Sequence, residues 1–201
     1  MMNVLVLCEY SARVRDAFRQ DGHNAWSCDL LDTDGDKKYH FKIDCFKAIS
    51  LNDWDLIIAH PPCTALAVSG NAWYGEGQPK YSERLKACEW TKRLWDECIN
   101  KAKSVCFENP VGVLPRLAGF PKPSYIQPWQ FGHKEQKKTG LFLHNLEPLK
   151  EELNVYDEMM KLPKKERERL HYLPPSKDRW KIRSTTYQGI ANAMAKQWGN
   201  I

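Results

Sequence analysis

Short apolar runs alternate with amphipathic stretches along most of this chain. Apolar runs predict strands over residues 3–8, 24–29, 54–59, 104–108 and 139–144, and a weaker one over 39–43. Amphipathic stretches predict helices over residues 12–21, 81–102 and 188–198. Ser11 is the expected cap of the first helix, and Leu85, Trp90, Leu94 and Ile99 are the expected buried face of the second. This alternation predicts an α/β fold with a mostly parallel sheet and helices on both faces.

Polar and reactive side chains follow directly after the predicted strands. In open parallel sheets, ligands bind beyond the carboxyl ends of the strands, so these side chains are expected to share one edge. They are Cys8 with Glu9, Asp29, Asp44, Pro61 to Cys63, and Glu108 with Asn109.

The most specific motif is DLIIAHPPCTALAVSG, residues 55–70. Two prolines end a strand and stiffen the turn that presents Cys63. A thiol in a fixed position at a sheet edge is a candidate nucleophile if its pKa falls toward neutrality. The motif alone also fits a loop with an incidental cysteine.

A second motif, FENP at residues 107–110, places Glu108 at the end of another strand. Nucleophilic attack on C6 of a pyrimidine moves charge to N3 and the exocyclic amine. A carboxyl group there can donate to N3 when protonated and accept from the amine. The alternatives are a helix cap or a surface acid, and the apolar residues before Glu108 disfavour a surface acid.

Together these motifs resemble the Pro-Cys and Glu-Asn-Val motifs of the cytosine-5 DNA methyltransferase family, here in a compact, phage-type form. VLCEYSARVRDAFRQDGHNAWSCDL is similar in shape to that family's first cofactor segment. The resemblance implies a Rossmann-like, S-adenosylmethionine-dependent methyltransferase fold in a single domain over residues 1–201. It also implies transfer of a methyl group to C5 of cytosine through a covalent adduct at C6.

The resemblance also implies roles for individual residues. Cys63, Glu108 and Asn109 would be catalytic. Asp29 would hold the ribose hydroxyls of S-adenosylmethionine and Asp44 its adenine amine. The full set of expected cofactor contacts is Cys8, Glu9, Tyr10, Ser11, Asp29, Leu30, Asp44 and Pro61. The expected contacts to substrate or nucleic acid are Pro62, Thr64, Ser69, Lys138, Lys177, Arg179, Trp180, Lys181 and Arg183.

Two departures from the family pattern concern the cofactor loop and the substrate-binding cations. The family turn after the first strand is rich in glycine, whereas residues 8–12 here contain none. The family's Arg-rich motif before the target-recognition region is not evident, and Lys137, Lys138 and Thr139 are the nearest substitutes.

Charge is concentrated in a basic, Pro-rich insertion at residues 145–185, before the final helix. Residues 161–183 hold nine Lys and Arg against three Asp and Glu, while the whole chain has a net charge of +5. Such a run is either a solvated helix face or a surface for polyanions, and the two interpretations have equal weight here.

Cysteine usage and hydropathy indicate a reduced, cytoplasmic protein, in the host cytoplasm if a phage encodes it. Seven cysteines form no CxxC pair and no zinc-finger spacing, so no metal is expected. Neither a transmembrane run nor a signal peptide is expected.

Several functions remain open at this stage. The first is a cytosine C5 methyltransferase, with DNA as the expected partner. The second is a related C5 pyrimidine-modifying enzyme acting on RNA or on a free nucleotide such as dCMP. The third is a methyltransferase-like protein that binds nucleic acid without catalysis.

Overall fold

A computed structural model describes all 201 residues. Seven strands form one sheet: β1 Asn3–Leu7, β2 Asn24–Cys28, β3 His40–Phe41, β4 Trp54–Ala59, β5 Ala102–Pro110, β6 Ser124–Ile126 and β7 Thr139–His144. The first helices are α1 Arg13–Gln20, α2 Cys45–Ile49, α3 Asn71–Tyr74, α4 Tyr81–Lys101 and α5 Leu114–Leu117. The remaining helices are α6 Tyr156–Met160, α7 Lys164–Arg167, α8 Arg169–Tyr172, α9 Arg179–Ser184 and α10 Gln188–Trp198. Short 3-10 helices cover Lys37–Tyr39, Val68–Gly70 and Pro128–Gln130.

The strand order is β3-β2-β1-β4-β5-β7-β6. Strands β1 to β5 pair in parallel, and β7 pairs antiparallel with both β5 and β6. After β3 the chain crosses to the other side of β1, so the strand order reverses between β1 and β4. The carboxyl ends of these two strands flank the crevice where sheets of this kind bind ligands.

Helices cover both faces of the sheet because its central strands are apolar on both sides. In β1, Leu5 and Leu7 point into a core with α2 and α4, whereas Val4 and Val6 point into a core with α1 and α10. All four side chains are fully buried. The fold is therefore the predicted α/β arrangement with a mostly parallel sheet.

The observed elements correct several sequence predictions. Strand β5 continues through Asn109 and Pro110 instead of ending at Glu108, since its partner β7 runs antiparallel and pairs with both residues. Strand β3 is only two residues long, and β6 was not predicted. In α4, Leu94 is buried as predicted, and Trp90 and Ile99 pack partly buried against the core, but Leu85 is 45% exposed. The buried face also contains Arg84, Cys88 and Cys98.

The four short helices α6 to α9 lie within residues 145–187, separated by irregular segments. No helix in the structure combines the length and apolar character that crossing a bilayer requires.

Candidate active site

A cleft of about 850 Å³ opens at the carboxyl ends of β1, β4 and β5. Its volume lies near the upper end of the range for small-molecule sites. Three chain segments that the sequence singled out meet there: the loop after β1, the Pro-Pro-Cys turn after β4, and the end of β5. Predicted site residues lining the cleft are Cys8, Glu9, Tyr10, Ser11, Pro61, Pro62, Cys63, Thr64, Ser69, Glu108, Asn109, Arg179, Trp180 and Arg183.

Cys63 is the one exposed cysteine of the seven. The cleft walls displace enough water to raise the pKa of its thiol, and the negative charge of Glu108 raises it further. The positive charges of Lys137 and Arg183 act in the opposite direction. The two predicted catalytic side chains, Cys63 and Glu108, thus line the same cleft.

Glu108 is held by a histidine that the sequence analysis did not select. The Nδ1 of His60 lies 2.7 Å from Oε2 of Glu108, and both side chains are only about a tenth exposed. Burial raises the pKa of Glu108, but the hydrogen bond from His60 and the charge of Lys137 outweigh it, so the pKa lies below its ordinary value.

The same contact raises the pKa of His60. Burial alone would lower it, and the hydrogen bond and negative charge of Glu108, with a smaller effect from Glu9, more than compensate. His60 and Glu108 therefore each favour the charged form of the other inside the cleft. The Nε2 of His60 is buried and has no hydrogen-bond partner.

Asn109 follows Glu108 in the chain and links the end of β5 to the turn after β4. Its side-chain amide donates to the carbonyl oxygen of Pro61 at 3.0 Å, and the residue is 1% exposed. This contact gives Asn109 a positioning role between β5 and the Pro-Pro-Cys turn.

The loop after Cys63 is fixed by Arg84 of α4, which is 2% exposed. Its guanidinium donates to the carbonyl oxygens of Ala65 and Ala67 at 2.7 and 3.2 Å and to the Asn71 side chain at 2.9 Å. From the other side, Gly112 approaches the Leu66 carbonyl so closely that a Cβ would lie 2.5 Å from its oxygen. The segment carrying the thiol is therefore held rigidly.

The loop after β1 adopts turns that usually favour glycine. Cys8 and Ala12 have φ angles of 56° and 60°. Ser11 does not cap α1, contrary to the prediction. The carboxylate of Glu9 accepts the backbone N–H groups of Val14 and Arg15 at 2.7 and 3.2 Å instead.

Three predicted cofactor residues lie at the same sheet edge but outside the cleft. Asp29 and Leu30 follow β2, and Leu30 is 71% exposed. Asp44 is exposed and caps α2 by accepting the backbone N–H of Phe46 at 2.9 Å. Asp29 similarly accepts the N–H of Leu31 at 3.0 Å.

The predicted basic residues divide into two groups. Arg179 and Arg183 of α9 line the cleft together with Trp180, whereas Lys177 and Lys181 do not. Lys138 also lies outside, with its ammonium group 4.3 Å from the centre of the Tyr125 ring, and its neighbour Lys137 lines the cleft instead.

Helix α9 is attached directly to the loop after β1. The Tyr10 hydroxyl donates to the Lys181 carbonyl oxygen at 3.0 Å and lies 3.3 Å from the hydroxyls of Ser184 and Thr185. The rings of Tyr10 and Trp180 pack with centroids 5.4 Å apart. The basic segment is therefore a wall of the cleft and not only a solvated helix face.

Comparison with solved structures places this fold among known ones. S. pombe Dnmt2 methyltransferase matches with a TM-score of 0.50 and 16% identity over 88% of this chain. This chain therefore has a Rossmann-like α/β fold similar to the one in that structure. The Entamoeba histolytica methyltransferase EhMeth has a TM-score of 0.47 and 16% identity over 77% of the chain. A DNA modification methyltransferase encoded within an E. coli prophage has a TM-score of 0.41 and 11% identity over 82%.

The matched region covers 61%, 56% and 56% of those three chains, respectively, so this chain spans little more than half of their length. No protein-family model and no curated protein matches the sequence.

Proposed function

We propose that this protein is an S-adenosylmethionine-dependent methyltransferase that modifies C5 of cytosine in nucleic acid. The observation that carries the proposal is the meeting of Cys63, Glu108 and the loop after β1 in one cleft. Cys63 and Glu108 follow or end neighbouring parallel strands, so a single planar base can contact both side chains.

Cys63 acts as the nucleophile. Its thiolate forms a bond to C6 of the base, and the C5–C6 electron pair becomes available at C5 for the methyl group. Because the cleft walls and the charge of Glu108 raise the pKa of the thiol, the positive charges of Lys137 and Arg183 are needed to favour the thiolate as the thiol proton leaves to water. When water in the cleft takes the C5 proton, the electron pair of the C–H bond re-forms the C5–C6 double bond and expels the sulfur of Cys63 as the thiolate.

Glu108 faces the N3 and amine edge of the base. One carboxylate oxygen accepts the His60 N–H, which leaves the other free to face the N3 and amine edge of the base. As negative charge reaches N3, a proton passes from His60 through Glu108 to that nitrogen, and it returns when the adduct collapses. The charged pair thus stores the proton that the addition step consumes.

The residues at the sheet edge fit the cofactor. Residues 8–11 line the cleft, with Cys8 in a positive-φ conformation that usually favours glycine, and the carboxylates of Asp29 and Asp44 lie at the ends of the next strands. When bound, S-adenosylmethionine supplies an electrophilic methyl group. The loop would hold its methionine portion, with Pro61 beside it. Asp29, Leu30 and Asp44 would hold the adenosine.

The test is covalent trapping. The protein is incubated with labelled S-adenosylmethionine and a panel of duplex DNA, single-stranded DNA, RNA and dCMP. Substrates containing 5-fluorocytosine should give an adduct on Cys63, identified by mass spectrometry, because fluorine at C5 cannot leave as a proton.

Cys63→Ser should abolish both methyl transfer and the adduct, while Cys88→Ser, which changes a buried thiol of α4, should retain both. Full activity of Cys63→Ser would reject the covalent mechanism. Adduct formation without methyl transfer would indicate a different C5 modification. Absence of both, together with intact nucleic-acid binding, would favour the non-catalytic binding protein.

A further inference from the structure

We propose that the cleft binds a single-stranded polynucleotide, with unpaired bases next to the target cytosine stacked on Trp73 and Trp180. This inference rests on the proposed function and narrows its substrate from nucleic acid in general to unpaired strands.

The tryptophans of the chain are distributed unevenly between core and surface. Of eight, only Trp73 and Trp180 are exposed, at 63% and 47%. Both line the cleft that contains Cys63. A large exposed indole at a ligand cleft usually contacts a partner, because leaving it in water forfeits the free energy of burial.

The two indoles belong to different walls of the cleft. Trp73 lies in α3, directly after the loop that Arg84 fixes, and Trp180 lies in α9, which is tied to Tyr10. The backbone that carries each ring is thus held in place before any ligand arrives. Pre-positioned aromatic platforms stack on any base, because every base offers a π face.

The charges along the cleft match a phosphate backbone. Lys137, Arg179 and Arg183 line it as cations. The two lining carboxylates are engaged within the protein, Glu108 by His60 and Glu9 by the first turn of α1. The cleft therefore offers uncompensated positive charge beside exposed aromatic rings, the combination typical of single-strand binding sites.

A duplex and a mononucleotide fit these features less well. In a duplex, flipping one base leaves the flanking bases paired within the helix, so they cannot swing out onto the two indoles. A mononucleotide has a single base to offer and would leave at least one of the two indoles without a stacking partner. A single strand supplies the target base, stackable neighbours and several phosphates.

The binding experiment uses the full-length Cys63→Ser protein without cofactor, so that chemistry does not enter the measurement. Fluorescence anisotropy follows a labelled oligodeoxynucleotide of about 12 nucleotides with one central cytosine, within the usual site size for single strands. The other arms are its duplex, the RNA of the same sequence, and dCMP as a competitor. The DNA and RNA arms distinguish between the two sources of a single strand.

We expect the single strand to bind more tightly than the duplex, and dCMP to compete weakly. Trp73→Ala and Trp180→Ala should each weaken binding by about 5-fold to 150-fold, which corresponds to about 1–3 kcal/mol per stacked base. Trp73→Phe and Trp180→Phe should retain most of the affinity. Tyr156→Ala is the matched control, because Tyr156 is 42% exposed but lies in a separate groove with Trp129.

Equal or tighter binding of the duplex, or unchanged affinity in both alanine variants, would overturn the inference. These outcomes are independent of the proposed reaction. If the protein methylates duplex DNA after both indoles are removed, the proposed reaction is supported and the single-strand inference is wrong. If it binds single strands through the indoles but forms no adduct, only the proposed reaction is wrong.

Discussion

The pair of His60 and Glu108 makes stability depend on pH in a defined direction. The pKa of His60 is raised in the folded state, so its contribution is complete below the ordinary pKa of histidine and is lost as pH rises through the raised value. The pKa of Glu108 is lowered, so its contribution is complete above the ordinary pKa of glutamate and is lost as pH falls. Both contributions are complete between about pH 5 and pH 6.5.

We therefore expect His60→Gln to destabilise the protein most within that window, by about 1.5–3 kcal/mol, the usual range for a hydrogen bond to a charged group. The deficit should shrink toward pH 9, and urea unfolding at several pH values measures it. His144→Gln is the control, because the only hydrogen bond of the His144 ring is with the Asn145 amide. A deficit independent of pH would show that the pair is not ionised.

For single residues, the sequence predicted the site best where a chemically reactive side chain follows or ends a strand. Cys63 and Glu108 follow or end predicted strands, and the structure brings them to one cleft. His60 has the same signal, since it directly follows β4, but its role depends on a partner 48 residues away in the chain. Lys138, which the sequence selected as a substrate contact, does not line the cleft, whereas its neighbour Lys137 does, because only the fold decides which of two adjacent lysines faces the cleft.

Helix α1 is capped by Glu9, a residue that precedes its first turn. With Ala12 at the N-cap position and no side-chain bond there, the orphan N–H groups of α1 are satisfied by Glu9. We expect Glu9→Ala to reduce the free energy of unfolding by about 1–2 kcal/mol, the usual cost of losing a cap. Chemical denaturation measures the change.

Ser11→Ala provides the comparison for that variant and should leave stability unchanged. Glu9→Gln should lose less than Glu9→Ala, since the amide oxygen can still accept an N–H. If Ser11→Ala were as damaging as Glu9→Ala, the capping assignment would be wrong.

The elements themselves were largely predictable. The bounds of β4, β7 and α10 agree with the prediction, because each has a strong pattern with clear ends. The end of β5 was wrong, since a proline at a strand terminus is acceptable when the neighbouring strand pairs antiparallel with it. The four short helices after β7 have no periodic signal, because tertiary contacts fix them and not amphipathic repeats.

Across the whole molecule, the distribution of basic residues predicts how nucleic-acid binding depends on salt. Replacing both Arg179 and Arg183 by Gln should flatten the plot of log affinity against log salt, by about 0.7 for each single-strand phosphate that the protein no longer neutralises. Replacing Lys177 and Lys181 by Gln removes the same charge outside the cleft and should change the slope less. Equal slopes for the two double variants would show that α9 does not direct the phosphate backbone into the cleft.

The hydrogen bonds of Tyr10 are expected to couple the binding of cofactor and nucleic acid. The loop expected to hold the cofactor and the helix expected to hold the nucleic acid share one hydroxyl group. Any rearrangement of that loop on cofactor binding therefore reaches α9, and thermodynamic reciprocity requires the nucleic acid to change cofactor affinity by the same factor.

Calorimetric titration of each ligand with and without the other measures that factor. Tyr10→Phe keeps the ring that packs on Trp180 and removes only the hydroxyl, so it should bring the factor toward one while each separate affinity changes little. The Tyr10 hydroxyl oxygen would then determine whether the two ligands bind cooperatively or independently.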